Sequence, residues 1–269
     1  MLRFIKNYEV NLTLYMCLIT FAYKVHPKYE LILAGNRDEF YGRPTRPAQF
    51  WTQEGHPDIL AGKDLEAGGT WLGIHKEGRW GALTNYRDPA NVREDPPSRG
   101  ELVMNYLTSN QPAIEYLQDL SDTAQDYNGF NLLLWDSGHF YHFSNQSKRM
   151  TVVEPGVHGL SNALLDTPWP KLNAANKQMK EIMDSDQINK EKLFDLLQDQ
   201  TKADEENLPV TGIPRDLEKA ISSIFIKTEN YGTRCSTVLL IDKEGKVDFS
   251  ERTFSPGSTH IKHENHFSF

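Results

Sequence analysis

The chain has 269 residues, with 29 Lys and Arg against 37 Asp and Glu, a formal net charge of −8 at pH 7, and is 38% hydrophobic and 25% charged. A globular chain of this size buries roughly 75% of its extended surface and needs no disulfide or metal staple. The acidic balance argues against a nucleic-acid groove, which needs clustered cations to replace phosphate counterions. No run reaches the ~18 apolar residues of a membrane span, so no stable membrane insertion is expected.

Along the chain, Arg3 and Lys6 precede an apolar stretch that superficially resembles a leader. Asn7, Glu9, Asn11 and Thr13 interrupt it, and no small-x-small cleavage site follows, so it is read as no signal peptide. Alternation then predicts a strand over 17–23, a turn at 24–28 and a second strand over 29–34. The Pro- and Gly-rich stretch 41–67 lacks periodicity and is expected to be a long ordered loop. A strand pair over 70–75 and 79–85 turns at Lys76-Glu77-Gly78.

Helices follow. Ser98 stands three residues ahead of Glu101, Leu102, Val103, Tyr106 and Leu107 share one face, and Pro112 opens a helix over 112–119. A hairpin over 130–135 and 140–143 turns at Asp136-Ser137-Gly138, and Val152 and 158–162 continue its sheet. Helical periodicity returns at 169–184, 190–199 and 214–225, and a last hairpin joins 233–241 to 246–254. No linker or repeat intervenes. Residues 16–269 are therefore expected to form one α+β domain with mostly antiparallel sheets, and residues 1–15 to be a removed or non-native extension. His260, His263 and His266 are expected in a solvated polar tail. His139 and His142 fall on opposite faces of one strand and are not expected to share a metal.

Only two cysteines are present, Cys17 and Cys235, too few for a disulfide framework or a cysteine zinc site; the low count fits a reducing compartment, the cytoplasm. The G-x-S-x-G, H-E-x-x-H, phosphate-loop and dinucleotide motifs are absent. Met16-Cys17 is more informative. Translation from Met16 and removal of that Met would expose Cys17, joining a thiol nucleophile to an α-amine whose pKa of about 7.7–8.0 suits a general base. The bland alternative is a small buried hydrophobe. Downstream, an apolar strand ends in Asn36-Arg37-Asp38-Glu39. Arg37 could lower the thiol pKa and hold a carboxylate, and Asp38 could accept from the α-amine; the alternative is a solvated turn salt bridge.

The string Asn36-Arg37-Asp38-Glu39 behind Met16-Cys17 resembles the NRDE family, related to transport and Golgi organisation proteins. So do Ala61-Gly62-Lys63-Asp64, Gly68-Gly69-Thr70-Trp71-Leu72-Gly73 and the run from Gly78 to Arg87. That family in turn resembles the N-terminal-nucleophile hydrolases of the choloylglycine hydrolase and penicillin V acylase type. The resemblance implies an αββα four-layer sandwich, two antiparallel sheets flanked by helices with the site at one end. It implies Cys17 as nucleophile and Arg37 and Asp38 as its partners, although their adjacency departs from the more separated pair of the enzymes. Asn85 and Asn162 are implied as oxyanion donors and Arg234 as the late arginine beginning a strand. Arg37 and Arg234 would then keep the thiol ionised and fix Asp38, with Cys235 a packing residue. Trp51, Trp71, Trp80, Phe50 and Tyr86 either line a pocket or build the core.

The expectation is a cysteine amidohydrolase that cleaves a non-peptide C–N bond of a small acyl amide, with no cofactor. Its rival is a non-catalytic carrier of a hydrophobic ligand on the same fold, for which the family resemblance suggests lipid or haem. A pure scaffold is disfavoured, because Arg37, Asp38 and Arg234 are costly to bury without a purpose. The oligomeric state is left open.

Overall fold

Residues 17–136, 138–185 and 187–269 are described in a computed structural model; the expected extension 1–15 lies outside them. The first two elements are β1 (Cys17–Tyr23) and β2 (Tyr29–Phe40). Ile19 and Phe21 of β1 enter one core while Leu18 and Ala22 enter another, so this strand is covered on both faces. β2 does not stop at Ala34. It runs through Asn36-Arg37-Asp38-Glu39 to Phe40, because those polar side chains find buried partners.

The expected loop 41–67 is corrected to two strands, β3 (Thr45–Trp51) and β4 (His56–Asp64). Pro47 falls where the β3–β4 register shifts, on the edge strand of its sheet, where a missing N–H is tolerated. β5 (Leu72–His75), β6 (Trp80–Asn85), β7 (Phe130–Asp136), β8 (His139–Ser144) and β9 (Arg149–Val152) extend this sheet as a meander. α1 (Gly100–Thr108) and α2 (Ala113–Thr123) interrupt it between β6 and β7.

The chain then leaves that sheet. β10 (Gly156–Leu160) pairs with β1 in the other sheet, so the expected continuation of the hairpin sheet from Val152 into 158–162 is overturned. α3 (Pro170–Met183), α4 (Lys190–Leu197) and α5 (Arg215–Ala220) precede β11 (Tyr231–Asp242), β12 (Val247–Phe254) and β13 (Ile261–Ser268). The histidines expected in a solvated polar tail are exposed, but most of that segment is a strand, held along β12 from Asp248 to Phe254. The sheet orders are β10-β1-β2-β11-β12-β13 and β3-β4-β5-β6-β7-β8-β9, with every pair antiparallel.

Three of the hydrophobic clusters among the described residues hold the four layers together. Ile19, Phe21 and Leu33 meet Leu60, Ile74, Trp80 and Leu133 between the sheets. Val103, Tyr106 and Leu117 of α1 and α2 cover Leu83, Leu132 and Leu134. Leu172, Met179, Phe194 and Leu197 of α3 and α4 cover Leu18, Ile32 and Val238. Each fully buried large aliphatic or aromatic contributes roughly 1.5–3 kcal/mol. The result is the expected αββα sandwich. No helix among the described residues is long and apolar enough to cross a membrane.

Candidate active site

Antiparallel pairing brings the start of β1, the end of β2 and the first half of β11 to one end of the six-stranded sheet. There Cys17 stands opposite Arg37, and Arg37 opposite Cys235. All three border a cleft of about 320 Å³, to which the facing sheet contributes Asn85 at the end of β6 and the adjoining loop contributes Trp71. Of the five aromatics singled out in the sequence, Trp71 lines the cleft, whereas Trp51 and Trp80 are buried in the cores. At the rim, any side chain at Gly69 would collide with the backbone of Gly100, which lets the first turn of α1 close against Thr70.

Strand alternation divides the polar segment of β2. Asn36 turns toward the helices: Nδ2 donates to the carbonyls of Leu197 (2.8 Å) and Ile224 (3.0 Å), and Oδ1 accepts from Ser236 Oγ (2.6 Å). Arg37 turns the other way. Its Nη2 lies 3.1 Å from Asp64 Oδ2 and 3.4 Å from Glu39 Oε2, while Arg43 Nε lies 2.7 Å from the same Asp64 oxygen. Burial pushes the Glu39 carboxyl up against the pull of Arg37. Burial also opposes ionisation of Asp64, but hydrogen bonds from Arg43 and the Ala67 N–H, with the charges of Arg43 and Arg37, hold it below its usual range.

Asp38 is 1% exposed. Its Oδ1 accepts from Thr233 Oγ1 at 2.6 Å, and its Oδ2 has no hydrogen-bond partner among the described residues. Arg234 occupies the place where the β2–β11 register shifts between Thr233 and Cys235. Such a bulge re-aims a side chain, and the guanidinium donates to the carbonyls of Phe40 (2.7 Å) and Arg43 (3.0 Å), bracing the chain that leaves β2 at the cleft wall.

The expected low thiol pKa of Cys17 is overturned. Burial, followed by the charge of Asp38, pushes the thiol up to about 12. The charge of Arg37 and the Asp38 backbone N–H pull in the expected direction and are outweighed. Cys235, expected only to pack, also borders the cleft; burial and the neighbouring Glu251 carboxyl raise its thiol too. Two strand spacings separate the cysteine Cα atoms by roughly 10 Å, beyond the ~7 Å limit for a disulfide.

The two asparagines are adjacent but differently placed. Asn85 lines the cleft, and its carbonyl accepts from Asn162 Nδ2 at 2.9 Å. Asn162 is 2% exposed, stands behind Asn85 and is not a lining residue. Ser161 Oγ lies 2.9 Å from the Cys17 carbonyl oxygen and 3.1 Å from Asn162 Oδ1, which ties the end of β10 to the start of β1.

Sequence reasoning missed the buried charges behind Asp38. Lys171 in the first turn of α3 is 5% exposed, and Arg87 pairs with Glu218 at 2.7 Å. Burial pulls the Lys171 ammonium pKa down, opposed first by the Asp38 carboxylate. A signal was present, because Lys171 falls on the same helical stripe as the buried Ala175, Met179 and Ile182.

Residues 16–256 match the family model described as Transport and Golgi organisation 2. The chain is 38% identical to the Transport and Golgi organization 2 homolog of Mus musculus, over 94% of this chain and 99% of that protein. Its identity is 37% to the Homo sapiens homolog, over 88% and 93%, and 30% to the Drosophila melanogaster protein, over 89% and 93%. Among solved structures, a mutant conjugated bile acid hydrolase from Clostridium perfringens aligns at 10% identity and a TM-score of 0.48, over 93% of this chain and 92% of that one. On the strength of the sequence matches, the chain belongs to the Transport and Golgi organisation 2 family.

Proposed function

We propose that the chain, once it begins at Cys17, is a cysteine amidohydrolase that cleaves a non-peptide C–N bond of a small acyl amide. One observation carries this reading: Cys17 opens β1 at the cleft, with Asn85 also lining it and Asp38 one register step beyond the Cys17 main-chain nitrogen. The family match beginning at residue 16 supports a functional start there.

A thiol held near 12 does not ionise unaided at neutral pH, so attack needs a local base. A free α-amine takes the thiol proton as Sγ bonds to the amide carbonyl carbon. The Asn85 amide donates to the resulting oxyanion, with Asn162 holding Asn85 in place. The C–N bond breaks as the amine leaves with the proton from the α-ammonium, and a thioester remains. Water then attacks the thioester, its proton passing through the α-amine to the departing sulfur, and the carboxylic acid is released. Asp38 accepts from the α-amine and orients it; Arg37 and Arg234 shape the polar side of the cleft.

The test is intact-mass measurement of natively expressed protein, combined with turnover assays on chemically diverse acyl amides. A chain beginning at Cys17 that turns over an amide is the expected result. Full activity in protein that still carries residues ahead of Cys17 would overturn the mechanism, since an amide nitrogen is no base.

One observation favours a second reading, a carrier of a hydrophobic ligand such as a lipid or haem. Trp71, Leu83, Pro96 and Pro97 give the cleft an apolar wall that holds such a ligand whether or not the thiol reacts. Absence of turnover across the panel, with stoichiometric lipid or haem binding, selects the carrier.

A further inference from the structure

Lys171 is the second residue of α3, where the positive end of the helix dipole disfavours a cation. Its side chain is on the buried stripe, and Nζ has no hydrogen-bond partner among the described residues. A buried ammonium without a partner is expensive. The charged and titratable groups acting on it come from several elements: Asp38 of β2, Cys17 of β1, Glu218 of α5 and Arg87 beyond β6. Asp38 is in turn acted on by Lys171, Arg37 and Glu39 and bonded by Thr233, yet its Oδ2 also has no partner. Geometry places both beside the start of β1. Asp38 follows Arg37, the register partner of Cys17, and the first turn of α3 packs on β10 with Leu172 against Gly159, next to Leu160, the register partner of Ile19. The two buried groups of opposite charge each keep an unused hydrogen-bonding atom.

We propose that Lys171 is a positioning residue for the Cys17 α-amine: its ammonium offsets the pull of the Asp38 carboxylate and keeps that amine neutral while Asp38 orients it. Asp38 alone would favour the α-ammonium, which cannot accept the thiol proton. Lys171 alone would favour the neutral amine but give it no acceptor. Together they orient the base without protonating it. The depressed ammonium of Lys171 and the raised carboxyl of Asp38 agree with two charges that burial penalises and mutual attraction retains. The inference rests on the N-terminal-nucleophile reading, which supplies both the free α-amine at Cys17 and the need for it to be neutral.

The experiment uses the chain translated from Met16 and processed to residue 17. The ionisation midpoint of the α-amine is read by competitive acetic anhydride labelling and mass spectrometry in a Cys17→Ser background, where no thiol competes for the reagent. Lys171→Met should raise the midpoint by roughly one unit or more, and Asp38→Asn should lower it by a similar amount. The double variant should return close to the parent. In protein retaining Cys17, the acid limb of kcat/KM should move up with Lys171→Met, and the lost activity should return at higher pH. An unmoved midpoint, or a uniform loss of activity at every pH, overturns the proposal, since a structural lysine gives that result. If Lys171→Met does not fold, Asp38→Asn alone decides: Lys171 then stands unopposed, and an unchanged midpoint overturns the proposal. A shifted midpoint without amide turnover sinks the hydrolase reading and leaves the charge pairing intact; turnover without a shift does the reverse.

Discussion

The two faces of β2 carry alternate residues of one polar string into different surroundings. On the cleft face, Arg37 and Glu39 join Arg43 and Asp64 in a network of ion pairs. On the helix face, Asn36 uses both ends of its amide to join β2 to β11 and to the carbonyls of Leu197 and Ile224. Asp38, of the same parity, is left with one unpartnered oxygen. The difference teaches that a four-residue motif in a strand is two pairs of residues, because successive side chains leave opposite faces. Asn36 carries architecture. Arg37 shapes the cleft, and Asp38 stands at the boundary between them.

The division is broken or sharpened by substitutions that separate activity from stability. The largest effect is expected for Cys17→Ala in processed protein, a fall in amide turnover of about 10⁴-fold or more with little change in Tm. Retention of turnover would remove the nucleophile from the cleft face. Next comes Asn85→Ala, where loss of an oxyanion donor should lower kcat by ~10²–10³-fold. Asn162→Ala should cost less, since its amide supports the Asn85 backbone; an equal or greater loss would reverse the order of these two.

For the helix face, Asn36→Ala should lower the folding free energy by about 2 kcal/mol, because two buried carbonyls and the Ser236 hydroxyl lose their partner. Urea unfolding measures this, and folded Asn36→Ala protein should keep near-normal kcat. A large kcat loss with normal stability would assign Asn36 to the chemistry instead. The smallest effect concerns the cysteines in the unprocessed chain. With the Cys17 thiol near 12, iodoacetamide labelling should be slow at neutral pH and rise about tenfold per unit as pH climbs toward that value. Cys235 should follow the same trend, its thiol also being raised. Fast labelling of Cys17 at neutral pH would show that Arg37 prevails over burial after all.

Most of the secondary structure that depends on local pattern was legible. The alternation of 17–23, the hairpin β7–β8 and the stripes of α3 and α4 follow from residues a few positions apart. Strand β3 was not, because edge position and register shift, rather than propensity, make Pro47 acceptable there, and β4 is held between β3 and β5. β13 was hidden for a similar reason. Its residues are mostly exposed, and it exists through its ladder with β12.

Within the candidate site, Cys17, Arg37 and Asp38 could be singled out from residue chemistry, whereas Asn85, Asn162 and Arg234 were reached only through the family resemblance. The arrangement of all six could be reached by neither route. The partners that carry β2 through Asn36 lie at Leu197, Ile224 and Ser236, far along the chain. The bulge that aims Arg234 exists only as a mismatch between two strands. The protonation of Cys17 is likewise a tertiary quantity. Sequence shows two arginines able to lower its pKa, whereas only packing determines that desolvation and Asp38 outweigh Arg37. Lys171 joins the same account, since nothing near it in the chain announces Asp38; the packing of α3 against β1 brings its charge there. Sequence by itself determined the chemical types and the local periodicities, which are set over a few residues. Tertiary structure alone decided faces, burial and charge balance, because each is a sum over partners that the chain keeps far apart.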